Sequence, residues 1–315
     1  MNDLVAQTAL RIAALRGRFI THERYSPLQG RFRLLIEKRL ADITVGRTSE
    51  AHGIALSGAS GTGKSAATAQ LLSQTRAYLA GSSLPDATII SLRVPSPATL
   101  KFVGQTVLRA LGYNLSAERQ AWYIWDLVRH QLRERKVLFL HLDEAQDLSA
   151  RGTRHELDAV ASMLKTLMTD ADWPVGILLS GTEELENILN HDPQLARRMD
   201  TIHFAPLSPV MNAPDVARLI EGYARRANLV LSGEVTDIAL SERLIHAAAF
   251  QFGLVIEMII SAIEGAFLEG ASHLEWRHFA VAYTLRSSSM DAFNPFIVSD
   301  YHRIDARKVF TREVA

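Results

Sequence analysis

Apolar positions recur at helical spacing through residues 31–43, where Phe32, Leu35, Ile36, Leu40 and Ile43 share a face and predict a helix. A short apolar run at 53–57 (GIALS) follows and ends in glycines. Residues 64–80 read as a helix with Ala-rich and Leu-rich turns. The β-branched run at 87–94 (ATIISLRV) reads as a strand stopped by Pro95 and Pro97. Helices are predicted at 98–111 and 118–135, then a buried strand at 137–142 (VLFLHL). A helix over 154–169, a strand over 175–181 (VGILLSG) and a short strand over 201–204 (TIHF) complete the alternation. Near-continuous apolar strands separated by helices predict an α/β fold with a parallel five-stranded sheet covered on both faces.

Beyond Pro206 only helical signals remain, over 214–227, 234–250, 254–269 and 275–285. They predict a second, smaller, all-helical domain. The expected boundaries are an N-terminal extension over 1–30, the α/β domain over 31–208, the helical domain over 209–285 and a tail over 286–315. The tail carries Ser287, Ser288, Ser289 and Asn294-Pro295-Phe296 with little periodicity, so a poorly packed or partner-binding extension is expected.

Composition narrows the class. The 315 residues are 48% apolar and 22% charged, which excludes a wholly disordered chain and a collagen. Cysteine is absent, so disulfides and thiolate metal sites are excluded. Arg11 and Arg16 interrupt the first residues and no small-residue cleavage site follows, so they do not read as a signal peptide. No run approaches the roughly 18 apolar residues of a membrane span. The expected location is the cytoplasm, without a membrane partner. A formal net charge of +0 is a weak indicator of nucleic-acid binding, but local patches matter more than the sum. Residues 93–136 hold a local basic excess: eight Lys and Arg, among them Arg93, Lys101, Arg109 and Arg119, against Glu118, Asp126 and Glu134.

The chemistry is concentrated at four places. Gly58-Ala59-Ser60-Gly61-Thr62-Gly63-Lys64-Ser65 matches the phosphate-binding pattern G-x-x-x-x-G-K-S/T throughout, between a predicted strand and a predicted helix. Glycines let the backbone wrap a phosphate without Cβ clashes, and successive N–H groups at a helix start supply positive potential. Lys64 is expected to reach the β- and γ-phosphates and the Ser65 hydroxyl to bind Mg²⁺. A Gly-rich helix start with no ligand is the bland alternative, and the flanking strand and helix weigh against it.

Second, the 137–142 strand delivers Asp143 and Glu144 at its C-terminal end, where ligands of open α/β sheets bind. Asp143 is expected to hold Mg²⁺ through water, and Glu144 to orient and deprotonate an attacking water. The competing reading is an acidic first helical turn. His141, inside the strand, reads as a satisfied core histidine. Third, Thr182 follows the 175–181 strand and is expected to contact the γ-phosphate or the attacking water, to cap the next helix, or to do both. Fourth, Arg197 and Arg198 lie just before the last strand. One of them could stabilise transition-state charge in a neighbouring subunit; surface salt bridging is the alternative.

Together these segments, with DPQLARRM at 192–199 and an all-helical domain after them, resemble AAA+ ATPases. Residues 20–285 resemble more narrowly the TniB/TnsC group of transposition ATPases. Phe19-Ile20-Thr21-His22 with Arg24, LSGTEELENILNHDPQLARRM and GAFLEGASHLEWRHFAVA carry that resemblance. It implies an ATP- and Mg²⁺-dependent, oligomer-dependent ATPase that assembles as a ring or helix on duplex DNA, and a missing lid arginine leads to the expectation of slow hydrolysis. It implies a transposase and a TniQ-type targeting protein as partners. It also implies that Lys101, Gln105 and Arg109 face the DNA with little sequence readout, with Arg151 and Arg154 as a second candidate surface. A solvated helix face is the alternative for Lys101. One departure is visible: Gly253-Leu254-Val255-Ile256-Glu257 lacks the arginine many AAA+ lids use to sense nucleotide, and Arg243 is the nearest upstream. Two other functions compete: an initiator or helicase loader, and a non-hydrolysing scaffold switched by nucleotide.

Overall fold

The computed structural model describes residues 2–149 and 153–307. They divide into two compact units. The first holds residues 21–59 and 64–204; the second gathers the described residues of 1–20, 60–63 and 205–315.

The chain opens with helix α1 (Asn2–Arg16), which belongs to the second unit. The first unit then runs α2 (Tyr25–Thr44), β1 (Gly53–Ser57), α3 (Lys64–Ala80), β2 (Thr88–Arg93), α4 (Leu100–Ala110) and α5 (Ala121–Glu134). It continues with β3 (Val137–Asp143), α6 (Arg154–Met168), β4 (Gly176–Ser180), the short helices α7 (Glu186–His191) and α8 (Pro193–Ala196), and β5 (Met199–His203). The five strands form one parallel sheet in the order β2-β3-β4-β1-β5. β1 and β4 are buried at every position, as inner strands covered on both faces must be. The sheet carries the expected α/β architecture, and each strand falls within a residue or two of the apolar run that predicted it.

α2 starts at Tyr25, earlier than the 31–43 pattern suggested. Tyr25 and Leu28 are fully buried and continue its apolar face, and the Tyr25 hydroxyl donates to Gln74 Oε1 at 2.6 Å. Tyr25 is therefore a core residue. Phe32, also fully buried, meets Phe139 of β3 edge-on with centroids 4.8 Å apart. Burying one such side chain is worth about 1.5–3 kcal/mol. Thr99 and Thr153 accept bonds from Phe102 N and Glu156 N and so cap α4 and α6.

The second unit contains α1, α9 (Pro209–Arg226), β6 (Val230–Leu231), α10 (Ile238–Ala247), α11 (Phe252–Leu268), β7 (His273–Leu274) and α12 (Trp276–Ser287). It is helical apart from the two-residue parallel pair β6–β7. The segment expected as an N-terminal extension carries α1, whose Ile12 and Leu15 are buried in the unit's core with Val255 and Ile259 of α11. The described part of the tail is packed, where a poorly packed or partner-binding extension was expected. Phe296 and Asn294 are buried, Asn294 Nδ2 donates to Ala280 O at 2.8 Å, and Trp276 Nε1 donates to Phe296 O at 2.7 Å. Arg243 donates to the carbonyls of Pro295 and Val298 and lies 4.3 Å from the Tyr301 ring centroid. No single helix among the described residues is long and apolar enough to cross a membrane.

Candidate nucleotide site

β1 runs into the loop 58–63, and α3 begins at Lys64. Gly61 and Gly63 take φ of +83° and +92°, a left-handed backbone that a Cβ would strain. Lys64 Nζ donates to the carbonyls of Gly58 at 2.6 Å and Ala59 at 2.9 Å. Burial pushes the Lys64 ammonium below its ordinary range, opposed by the charges of Glu144, Asp143 and Glu183. Those three carboxylates are thus within electrostatic reach of one lysine, although they come from two loops far apart in sequence.

Sheet order explains the convergence. β4 lies between β1 and β3, so the C-terminal ends of all three sit side by side. Asp143 pairs in register with Ser180, the last residue of β4. Ser180 is fully buried and its hydroxyl donates to Asp143 Oδ1 at 2.5 Å. His141 Nε2 shares a hydrogen bond with the same hydroxyl at 2.8 Å, and its Nδ1 shares one with Ser91 Oγ of β2 at 2.8 Å. The result is a polar relay, Ser91–His141–Ser180–Asp143, running across three neighbouring strands. Burial lowers the His141 pKa to about 4, partly offset by the Asp143 charge, so the ring is neutral at pH 7. His141 is the satisfied core histidine expected, and its bonds orient an acid of the site.

Glu144 follows with φ +54°, a conformation that costs a non-glycine residue on the order of 1 kcal/mol. Its Oε2 accepts from Gln146 Nε2 at 2.8 Å, and Arg93 Nη2 lies 3.7 Å from Oε1. Gln146 Oε1 accepts from Thr182 N at 3.1 Å. That approach requires Gly181, where a Cβ would stand 2.3 Å from Gln146 Oε1. Gln146 therefore ties the Glu144 carboxylate to the loop after β4. Thr182 occupies the cap position of the turn that follows, yet its hydroxyl makes no capping bond. Thr182 Oγ1 is buried with no hydrogen-bond partner among the described residues. The buried hydroxyl is left with donor and acceptor capacity to spare.

The two arginines before β5 differ. Arg198 is held within the unit: Nη1 donates to Gln194 O at 2.6 Å and Nη2 pairs with Glu50 at 2.8 Å, with its side chain 15% exposed. Arg197 is exposed and makes no ion pair among the described residues. Asp192 caps α8 by accepting from the Gln194 and Leu195 amides, and Lys165 holds its other oxygen at 2.5 Å, which fixes the backbone ahead of both arginines.

Residues singled out for DNA are scattered more widely. Lys101, Gln105 and Arg109 line one cavity of about 500 Å³ with Phe102 and Tyr113, and Lys101 is ion-paired with Glu118. Arg119, Trp122 and Tyr123 stand beside that pair in an adjoining cavity. Arg154 opens α6 on the surface, and Arg151 lies outside the described residues. Arg243, the nearest lid arginine, is committed to the tail carbonyls. Among the described residues no group of three or more His, Cys, Asp or Glu forms a self-sufficient metal site.

Comparison with solved structures places the fold. The Aeropyrum pernix ORC1 protein in complex with DNA shares 17% identity, with 84% of this chain and 66% of that chain covered and a TM-score of 0.62. Drosophila ORC bound to DNA gives 15% identity, 87% and 64% coverage and a TM-score of 0.59. Cdc6p from Pyrobaculum aerophilum gives 17%, 78% and 65%, and 0.57. The chain thus spans about two thirds of the length of these structures. The architecture is an AAA+ fold of the ORC, Cdc6 and RuvB type. No curated protein sequence matches the chain. The family model described as bacterial TniB protein matches residues 13–208, more than half of the sequence, and the chain belongs to the TniB family.

Proposed function

We propose that this TniB-family chain is an AAA+ ATPase that assembles on duplex DNA in its ATP-bound state, regulates transposition there, and is released by hydrolysis. The observation that carries the reading is the convergence of Lys64, Asp143 and Glu144 at adjoining strand ends, with Asp143 held by Ser180. Lys64 exchanges its loop carbonyls for the β- and γ-phosphates of ATP. Ser65 and Asp143 would hold Mg²⁺, which would supply charge neutralisation at those phosphates. Glu144, steadied by Gln146, accepts a proton from the attacking water, while Thr182 Oγ1 is the hydroxyl available to the γ-phosphate or to that water. Of the two arginines, Arg197 is the one at liberty to complete a neighbour's site, because Arg198 is bound to Glu50 and Gln194.

Duplex binding is assigned to the surface around Lys101, Gln105 and Arg109, with Arg154 as a second point of contact and affinity coming from counter-ion release. An initiator or loader role is less favoured, because the family model matched is TniB. A transposase and a TniQ-type targeting protein are the expected partners. Electron microscopy of Glu144→Gln with ATP and a duplex tests the reading. Rings or filaments threaded by DNA, absent for Lys64→Ala, are expected; monomers with both ATP and DNA present would contradict it.

A further inference from the structure

An aromatic surface at the start of α5 is left unused by the nucleotide site. A cavity of about 600 Å³ there is lined by Lys101, Glu118, Arg119, Gln120, Trp122 and Tyr123. Trp122 is 73% exposed and Tyr123 39%. The helix does not lack a core face: Ile124, Val128 and Leu132 are fully buried. Trp122 stands two residues before Ile124, about 200° around the helix from that face. The other tryptophans are half-buried, and each spends its indole N–H on a backbone carbonyl: Trp125 on Leu100, Trp173 on Val137 and Trp276 on Phe296. Trp122 makes no hydrogen bond among the described residues, and its ring meets that of Tyr123 edge-on at 5.8 Å.

The lining says what kind of occupant the rings suit. Glu118 is its only acid, and Lys101 already holds that carboxylate. Arg119 is exposed, makes no ion pair among the described residues, and lies 5.6 Å from the Tyr123 ring centroid. Gln120 stands at the cap position of α5 without a side-chain capping bond. The lining thus offers two rings, two cations and an amide, with no aliphatic side chain to seat an aliphatic anchor. A planar polar ring that carries negative charge meets all of these groups: the base stacks on the indole, its edge takes the amide, and its phosphate takes the guanidinium. Lys101 and Glu118 also line the neighbouring cavity with Gln105 and Arg109, where the duplex is assigned.

A fully paired duplex shows a protein at its side only base edges, because neighbouring pairs cover the base faces. A side-chain ring stacks only on a base that has left the stack or at a step that has opened. We propose that Trp122 stacks on a base displaced from the duplex, with Arg119 on an adjoining phosphate, so that the chain favours DNA whose bases are unpaired or easily unstacked. The inference rests on the duplex reading above and adds to it the state of the DNA that is preferred.

The test uses the full chain with ATP, Mg²⁺ and two labelled DNAs of the same length, one fully paired and one with a short unpaired bubble. Anisotropy reads affinity, and indole emission reads stacking. The bubble DNA should bind about tenfold more tightly than the paired duplex; Trp122→Ala should lose that preference and Trp122→Phe keep most of it. The bubble DNA should quench indole emission in the unaltered chain and not in Trp122→Phe, whose remaining tryptophans are half-buried. An unchanged unfolding midpoint verifies the fold of each variant. Binding to neither DNA would overturn the duplex reading and this inference with it. Duplex binding that falls in Lys101→Ala, with equal affinity for both DNAs and no effect of Trp122→Ala, would overturn the stacking alone. Quenching by an acidic Glu-Tyr peptide and by neither DNA would make the surface a protein contact and overturn it as well.

Discussion

Replacing Ser180 by alanine tests how the site is held together. The hydroxyl is fully buried and serves two partners, Asp143 Oδ1 at 2.5 Å and His141 Nε2 at 2.8 Å. Its removal leaves His141 Nε2 without that bond at a ring only 3% exposed, and frees Asp143 to rotate. A neutral hydrogen bond contributes about 1 kcal/mol and one to a carboxylate about 1.5–3 kcal/mol, so Ser180→Ala should cost about 3 kcal/mol. For a unit of this size, about 2–4 °C per kcal/mol, the midpoint of thermal unfolding should fall by about 6–12 °C. Stability alone would not establish positioning. The second readout is therefore phosphate release as a function of Mg²⁺ concentration, where a misaimed Asp143 should raise the Mg²⁺ needed for half-maximal rate. A double-mutant cycle with Asp143→Asn should show coupling of about 1 kcal/mol or more. Additive losses with an unaltered Mg²⁺ requirement would refute the relay as a positioning device.

Three further outcomes follow from the geometry. Arg197→Ala should leave the unfolding midpoint unchanged while lowering phosphate release by about 10³-fold, whereas Arg198→Ala, which removes the bonds to Gln194 O and Glu50, should lower stability by about 1 kcal/mol; calorimetry beside a phosphate assay separates the two. Because His141 has a native pKa of about 4 against an ordinary 6.5, the unfolded chain binds its proton first. That part of the stability is complete above pH 6.5 and is lost as pH falls toward 4, by about 3 kcal/mol. Denaturant titrations across that window should show the slope, and His141→Asn should flatten it. Finally, Glu118→Gln should raise duplex affinity severalfold by releasing Lys101, while Lys101→Ala should lower the salt dependence of binding by about one unit of slope; no change in either would remove Lys101 from the DNA surface.

Sheet, loop and carboxylate positions were legible because each is written locally: an apolar run, a glycine spacing, two acids after a strand. The relay was not. Ser91, His141 and Ser180 are about 40 to 50 residues apart, and only the β2-β3-β4 order brings them into register. The serine closing the LLS run of β4 was the available signal, a polar residue at a buried strand end beside the one carrying Asp143. Gln146 was hidden for the same reason, since its role depends on Gly181 one strand away. α1 escaped notice because its buried Ile12 and Leu15 are mixed with exposed Leu4, Val5 and Leu10, which blurs any stripe. The tail lacks periodicity because its anchors are backbone carbonyls gripped by Arg243, a contact no side-chain pattern records. Arg197 and Arg198 were indistinguishable by type, and partners in the fold separate them.

Steady-state release of phosphate from ATP, measured with Mg²⁺ and with or without duplex DNA, addresses the central claim most directly. Turnover that depends on protein concentration, and that falls by orders of magnitude in Glu144→Gln while ATP binding persists, is the expected result. Equal turnover in that variant, or none in the unaltered chain under any of these conditions, would contradict the account.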